Sequence, residues 1–291
     1  MQAELKQGER SPPLGWRLVI LGCGTSHGNP QWGCPAQWST DPKDARRRAG
    51  AALLGPDGQV VLIDCGPDLV DQCRDPFKIW DGKKYPEDSL NRCDAVLLTH
   101  DHADHLHGLN DLRHLTRLMG GRGIPIYAFG RYLAEAQRMF PYAFGLGSGL
   151  EPAPQHYRHS LPVLIPKPIA PSQLFSVAGI DIESVMVSHG PAGPVAAWRM
   201  WDRVGYCTDC KVIPPRSMER LKGLDLLVIT MLQSKAHPTH MNFAETMSML
   251  EHLKPRRAVL THLGPDVIYS TWQDRLPSFV SIAYDGLTLE V

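Results

Sequence analysis

The chain has 291 residues, of which 43% are hydrophobic and 21% are charged, a balance that suits a globular protein with a sizeable core. Its 30 lysines and arginines equal its 30 aspartates and glutamates, and this neutrality argues against a protein whose main task is to bind long nucleic acid. The seven cysteines lack the spacing of a secreted disulfide framework, and no apolar run approaches the roughly 20 residues that span a bilayer. Composition therefore predicts a cytoplasmic protein without a membrane segment.

The first half of the chain is predicted to form several strands and two helices. Short apolar segments predict strands at 16–21, 51–54, 60–63, 94–99 and 124–129. Gly-Pro-Asp-Gly between the second and third of these predicts a hairpin. Apolar periodicity predicts one helix over 106–119 and another over about 132–140. The polar residues 1–15 are predicted to be flexible.

The second half of the chain is again predicted to form strands and helices, after a segment rich in glycine and proline. That segment, 144–172, is predicted to be a long covering loop, because periodic segments resume on both sides of it. Further strands are predicted at 180–187, 196–201, 204–207, 224–230 and 258–261. The helix predicted at 242–253 begins with Asn242, and Glu245 completes a capping box. Strands followed by helices, twice over, predict one α/β (α+β) domain spanning 1–291, with two sheets packed face to face and helices outside.

Four candidate metal ligands lie within six residues, directly after the strand predicted at 94–99. They are His100, His102, Asp104 and His105. His100 and His102 can converge on one cation, and Asp104 and His105 can address a second one as the chain turns into a helix. Imidazole nitrogen and carboxylate oxygen suit zinc, manganese or iron and disfavour calcium.

This segment, His-Asp-His-Ala-Asp-His, resembles the H-x-H-x-D-H motif of the metallo-β-lactamase superfamily. The resemblance implies the αββα sandwich of that family and three more ligands at later strand ends. His189, Asp209 and His262 follow the strands predicted at 180–187, 204–207 and 258–261. The resemblance further implies a division of labour among the seven ligands: His100, His102 and His189 for the first metal, Asp104, His105 and His262 for the second, and Asp209 as the bridge.

Other segments are similar to one branch of the superfamily, which includes the phosphoribosyl 1,2-cyclic phosphate phosphodiesterase of the carbon–phosphorus lyase pathway. They lie at 21–28, 30–34, 41–44, 63–68, 108–113 and 283–287. That enzyme also carries a structural zinc, held by three cysteines and a histidine. Here Cys34 is present, but the corresponding positions read Ala36, Ser39 and Pro265, so no structural zinc is predicted.

The resemblance also implies residues that handle the substrate. His240 is expected to face the scissile phosphate opposite the metals, where it donates a hydrogen bond or protonates the leaving alkoxide. Asp104 is expected to orient the nucleophile. His237, Arg113 and His27 are weaker candidates for substrate binding, and an ion pair within the fold explains Arg113 equally well.

The sequence thus favours a metal-dependent ester hydrolase that cleaves a small, cyclic phosphodiester with a hydroxide bridging two divalent metals. A thioesterase or lactonase needs the same ligands and stays open as an alternative. A transfer-RNA-processing nuclease is disfavoured because no basic, glycine-rich arm is visible. A non-catalytic metal-binding carrier is the remaining reading, and a homodimer stays open because relatives often pair.

Overall fold

The computed structural model describes residues 14–34, 39–77, 90–145 and 161–291. Most of the segment predicted to be flexible, 1–15, lies outside these residues, as do residues 146–160 of the predicted covering loop. No helix within the described ranges is long and apolar enough to cross a lipid bilayer.

The first sheet has the strand order β14-β1-β2-β3-β4-β5-β6. Its strands are β1 (Arg17–Gly22), β2 (Gly50–Leu54), β3 (Val60–Ile63), β4 (Ala95–Leu97), β5 (Ile124–Phe129), β6 (Leu164–Ile169) and β14 (Thr288–Glu290). The predicted hairpin is present as the antiparallel pair β2–β3. Strands β3 to β6 are parallel to one another, and β3 and β4 are buried along their whole length, as strands covered on both faces must be.

The second sheet has the order β13-β12-β11-β10-β9-β8-β7. Its strands are β7 (Leu174–Val177), β8 (Ile180–Ser188), β9 (Pro194–Met200), β10 (Val204–Cys207), β11 (Leu226–Thr230), β12 (Arg257–Thr261) and β13 (Val280–Ile282). Strands β10 to β13 run parallel, and β7 to β10 pair antiparallel. The carboxyl ends of β8, β10 and β12 therefore point the same way.

The two sheets pack against each other through a common apolar core. The ring of Trp16, next to β1, lies 5.2 Å from that of Trp201, which follows β9. Tyr127 of β5 stacks on Phe175 of β7 with ring centroids 4.6 Å apart. These contacts join one sheet to the other, and the predicted sandwich is confirmed.

Helices cover the outer faces. Among the described residues they are α1 (Leu69–Arg74), α2 (Ala103–Leu106), α3 (Arg113–Leu118), α4 (Gly130–Met139), α5 (Pro215–Leu221), α6 (Phe243–Leu253) and α7 (Tyr269–Gln273). Helix α4 packs on β5 and β6, and α5 packs on β8. The predicted capping box of α6 is confirmed: the Asn242 side chain accepts from the Glu245 amide, and the Glu245 carboxylate accepts from the Asn242 amide, both at 2.9 Å.

The single helix predicted over 106–119 is wrong. The chain forms the short α2, a 3-10 segment at His107–Leu112, and then α3. The cause is Gly108, whose amide donates to the Cys65 carbonyl at 2.8 Å. A β-carbon on Gly108 would lie 2.2 Å from the Gly66 carbonyl oxygen, so the two backbones touch there. The turn after the metal motif is therefore shaped by this close approach rather than by helical periodicity.

The prediction of a covering loop over 144–172 is also corrected, because its last third contains strand β6. Pro166 and Pro168 lie within β6, which pairs with β5 along its length. The amide of Leu164 points away from β5 and donates to the Ala143 carbonyl at 2.8 Å. Positions 166 and 168 share that outward direction, so their missing N–H groups cost no pairing with β5. Proline therefore marks an edge strand here.

Candidate metal centre

The predicted ligands meet where strands of both sheets end. Four of them follow β4, and the others follow β8, β10 and β12. They form two groups in which one ligand atom of each residue lies within 4.8 Å of the others. The first group is His100, His102, His189 and Asp209, and the second is Asp104, His105 and His262. All are buried except His102, which is exposed.

The carboxylate of Asp209 lies between the two groups. Its Oδ1 is 3.8 Å from Nε2 of His189 and 3.3 Å from Nε2 of His262. Its Oδ2 is 3.2 Å from Nε2 of His105. The hydroxyl of Thr208 donates to the same Oδ2 at 2.7 Å and helps to hold the carboxylate in this orientation. Oδ1 of Asp209 thus lies near rings of both groups, while Oδ2 faces the second group alone, so the carboxylate contacts both groups.

Several buried nitrogens of the cluster have no hydrogen-bond partner among the described residues. They are Nε2 of His100, Nε2 of His105 and both ring nitrogens of His262. Buried polar atoms are rarely left unpaired, because the lost hydrogen bond costs free energy. Lone pairs converging with carboxylate oxygens are what a divalent cation needs, and this donor set fits zinc, manganese or iron. The residues present therefore fit the metals that the sequence predicts.

Asp64, which sequence reasoning left without a role, anchors the cluster from behind. Its Oδ2 accepts from Nδ1 of His105 at 2.7 Å, which leaves Nε2 of His105 to face Asp104 and Asp209. Its Oδ1 accepts from the amide of Thr99 at 2.7 Å. Carboxylates behind metal-binding histidines commonly fix the ring in this way. The signal was present in the Ile63-Asp64-Cys65-Gly66 segment directly after β3.

Three residues of the cluster have left-handed backbones. The φ angles are 62° for Asp64, 50° for Asp209 and 58° for His262. A non-glycine residue in this region costs about 1–3 kcal/mol and persists only where the surrounding structure enforces it. The turns after β3, β10 and β12 are therefore shaped so that these side chains point into the cluster.

The pKa shifts favour the protonation states that metal binding requires at His100, His189 and Asp209, but not at His105 and His262. Burial lowers the pKa of His100 and of His189, so both imidazoles are neutral at pH 7. Burial alone would raise the pKa of Asp209, but His262 and His105 hold it well below its usual value. Against their own burial, the carboxylates of Asp209 and Asp104 raise the pKa of His105 and of His262. Protons therefore compete with cations mainly at these two rings.

His240 joins the cluster from the loop before α6. Its ring centroid lies 4.6 Å from that of His189 and 4.7 Å from that of His262. Its Nδ1 is 3.9 Å from Oδ1 of Asp209. Burial, reinforced by His262, lowers the pKa of His240 to about 2. The ring is thus neutral at pH 7, which favours hydrogen-bond donation over proton donation by an imidazolium.

The structure brings His237 to the edge of the cluster, with its ring 5.3 Å from that of His240. His27 is exposed on a turn that borders the loop after His262, because the Thr25 amide donates to the Leu263 carbonyl at 3.1 Å. Arg113 is exposed, and its charge partly offsets the rise that burial causes in the pKa of the Tyr142 phenol. Among the described residues, no contact brings Arg113 to the ligands. The roles of all three in substrate binding stay predictions.

Cys34 is half-buried, and residues 35–38 beside it lie outside the described part of the chain. The predicted lack of a structural zinc therefore stays a prediction.

Comparison with known proteins identifies the family to which the chain belongs. Residues 59–263 match the family described as the β-lactamase superfamily domain. The crystal structure of a diphosphatase from the PhnP family is 31% identical, with a TM-score of 0.78, over 95% of this chain and 97% of that one. The zinc-bound PqqB from Methylobacterium extorquens is 18% identical, with a TM-score of 0.70, over 94% and 100% of the two chains. This second likeness shows the fold alone.

Among curated proteins, the octanoyltransferase of Porphyromonas gingivalis is 30% identical over 275 residues, which are 93% of this chain and 51% of that protein. The chain thus spans about half the length of this relative. The family match, by contrast, extends over more than half of the chain and contains His100, His189, Asp209 and His262. The chain belongs to the metallo-β-lactamase superfamily, in the branch that contains the PhnP family.

Proposed function

We propose that this protein is a metal-dependent hydrolase that cleaves a small, cyclic phosphodiester. The observation that carries the proposal is His240, a buried neutral imidazole packed against both ligand groups, with Nδ1 unpaired among the described residues. A neutral donor next to paired metal ligands suits a phosphoryl oxygen, on which negative charge grows during hydrolysis. The likeness to a PhnP-family diphosphatase supports a phosphorus-containing substrate.

Each residue has a role in this mechanism. The first metal would be held by His100, His102 and His189, the second by Asp104, His105 and His262, with Asp209 shared. When bound, such a pair of cations lowers the pKa of water towards neutrality and offsets charge on the phosphoryl oxygens.

The chain's own groups supply the rest. Asp104, whose pKa is held well below its usual value against burial by His105, is ionised and can orient the attacking water. His240 donates a hydrogen bond to a phosphoryl oxygen, or to the leaving oxygen as its charge develops. The exposed edge of His102 marks the side from which substrate can enter.

A thioesterase or lactonase is the second candidate, because the ligand set serves acyl transfer to water equally well. The octanoyl transfer in the name of the P. gingivalis relative belongs to a protein about twice as long. The position of His240 favours the phosphodiester reading, since it places a donor beside both ligand groups.

The test compares substrates on one preparation. Protein loaded with zinc or manganese is assayed on bis-(p-nitrophenyl) phosphate, cyclic nucleotides, a thioester and a lactone. We expect turnover of phosphodiesters, a fall of about 10²–10⁴-fold in kcat for His240→Ala, and no turnover for His102→Ala or Asp209→Ala. His252→Ala is the control, because that histidine lies on the exposed part of α6.

Two results would overturn the proposal. Turnover of the thioester or lactone without any phosphodiester turnover would assign the second candidate. Metal bound at the site without turnover of any ester would assign a carrier.

A further inference from the structure

The ring of His189 is oriented by the turn 237–240, which precedes α6. Nδ1 of His189 donates to the carbonyl oxygen of Thr239 at 2.8 Å. Because a carbonyl oxygen can only accept, the hydrogen of the neutral ring lies on Nδ1. Nε2 keeps its lone pair and lies 3.8 Å from Oδ1 of Asp209, within the first ligand group. The position of the Thr239 carbonyl therefore decides which nitrogen of His189 is available to a cation.

The position of that carbonyl depends in turn on His237. The backbone amide of Thr239 donates to Nδ1 of His237 at 3.3 Å, and the Thr239 hydroxyl lies 3.1 Å from the same nitrogen. A side-chain acceptor that receives the amide two residues further along the chain closes a turn in the manner of the Asx-turns of asparagine and aspartate. Pro238, between the two residues, fixes its own φ angle and so restricts the turn further. His237 thus holds the turn from one side.

Gly190 contacts the same turn from the other side. A β-carbon on Gly190 would lie 2.3 Å from the carbonyl oxygen of Pro238, so the backbone that follows His189 touches the backbone of the turn. The φ of Gly190 is 63°, a conformation that L side chains rarely adopt. Just past the turn, the amide of Met241 donates to the carbonyl of Cys210 at 2.8 Å. The turn is therefore docked onto the loops that follow β8 and β10, both of which carry metal ligands.

We propose that His237 is a positioning residue, which acts on the metal centre through the turn 237–240. Its Nδ1 sets the position of the Thr239 carbonyl, and that carbonyl orients the ring of His189. The same turn ends at His240, whose ring centroid lies 5.3 Å from that of His237. The effect on His189 concerns metal binding and is independent of the reaction catalysed, whereas the effect on His240 rests on the proposed phosphodiesterase function. One side-chain acceptor thus serves both groups.

The test separates the acceptor at position 237 from the bulk of the ring. His237→Asn offers a carbonyl oxygen that can accept from the Thr239 amide, whereas His237→Phe keeps a ring without an acceptor. Zinc affinity is measured by competition with a chromophoric chelator for wild-type protein, both variants and the control His252→Phe, whose histidine lies on the exposed part of α6. The visible absorption of bound cobalt reports the geometry of the ligands in the same four proteins.

We expect His237→Phe to lose about 10–100-fold in zinc affinity, the range for a hydrogen-bonding partner behind a metal ligand. Its cobalt spectrum should change as well. His237→Asn should retain most of the affinity and the wild-type spectrum, and His252→Phe should retain both. On a phosphodiester that the protein turns over, kcat should fall in His237→Phe and recover in His237→Asn.

Equal zinc affinity in wild-type protein and His237→Phe would overturn the proposal. An equal loss in His237→Phe and His237→Asn would also overturn it, because the ring rather than its acceptor would then matter. If His237→Phe does not fold, Gly190→Ala takes its place, since its β-carbon displaces the turn from the opposite side. Unchanged zinc affinity in that variant would contradict the role of the turn. If no ester is hydrolysed, the proposed function fails, while the zinc affinities still decide the role of His237.

Discussion

At the residue scale, Asp64 decides which nitrogen of His105 faces the ligand cluster. Its carboxylate is fully buried, accepts from Nδ1 of His105, and is itself held by the amide and hydroxyl of Thr99. Burial raises the pKa of Asp64, while His105 and Thr99 counteract this rise. The ring of His105 is therefore fixed in orientation before any metal binds, and this pre-organisation contributes to metal affinity.

Asp64→Asn tests this contribution. An amide cannot supply the charge that favours Nδ1–H on His105, so we expect the affinity for zinc to fall by about 10–100-fold. Competition with a chromophoric chelator measures the change. The second-group ligands should be affected most, because His105 belongs to that group.

Asp94→Asn is the matched control for this prediction. Asp94 is also buried, and its carboxylate accepts from the Val60 amide at 3.0 Å, at the end of β4 remote from the ligands. It should lose stability without losing zinc affinity. Equal loss of affinity in both variants would show that Asp64 acts only through the stability of the fold.

The ligands could be predicted from the sequence because the His-Asp-His-Ala-Asp-His segment resembles a family motif, and the resemblance implied three more ligands at later strand ends. The role of Asp64 could not. Asp64 contacts a residue 41 positions away, and its acceptor role depends on a left-handed backbone that no local pattern reveals.

At the element scale, the contact between Gly108 and the end of β3 sets the path of the chain after the metal motif. The amide of Cys65 donates to the carbonyl of His105 at 2.7 Å, and the amide of Gly108 donates back to Cys65 at 2.8 Å. The segment that carries Asp104 and His105 is thereby docked onto the turn that carries Asp64. The same two hydrogen bonds therefore hold the backbones together and fix the positions of Asp104 and His105.

Gly108→Ala is expected to weaken both the packing of these two backbones and the geometry of the metal ligands. Its β-carbon would meet the Gly66 carbonyl oxygen at 2.2 Å, which forces the backbones apart. Overpacking of this kind costs about 1–3 kcal/mol of unfolding free energy. Thermal or urea unfolding measures the cost, and zinc affinity should fall with it.

Gly130→Ala serves as the control, because a β-carbon at Gly130, at the start of α4, meets no atom within 4 Å. Unchanged stability in Gly108→Ala would refute the account of why the predicted helix is interrupted. Apolar periodicity at 106–119 predicted where buried residues lie, but it carries no information about a carbonyl from residue 66.

At the scale of the whole molecule, the ligand cluster joins the two sheets. Four ligands follow β4 of the first sheet, and the other three follow β8, β10 and β12 of the second. A bound cation therefore connects the two halves of the sandwich in addition to the apolar core. The sandwich itself could be predicted from alternating strands and helices, whereas the edge strand β6 could not, because its prolines read as a loop.

Removal of metal should lower the stability of the whole protein. Metal at 100 times its dissociation constant adds about 2.7 kcal/mol of unfolding free energy, so chelation should lower Tm in a concentration-dependent way. Because carboxylates raise the pKa of His105 and of His262, protons displace the metal as the pH falls. The difference in Tm between metal-loaded and chelated protein should therefore shrink towards acid pH. An equal Tm with and without bound metal at neutral pH would contradict this picture.

The outward prolines of β6 also restrict how two copies of this protein can associate. A strand from a neighbour needs a continuous row of N–H donors at the rim, and Pro166 and Pro168 remove two of them in succession. A continuous sheet across two protomers is thereby blocked at this rim. Pairing at this rim would have to rely on side chains, such as the exposed Ile165 of β6 and Val163 directly before it.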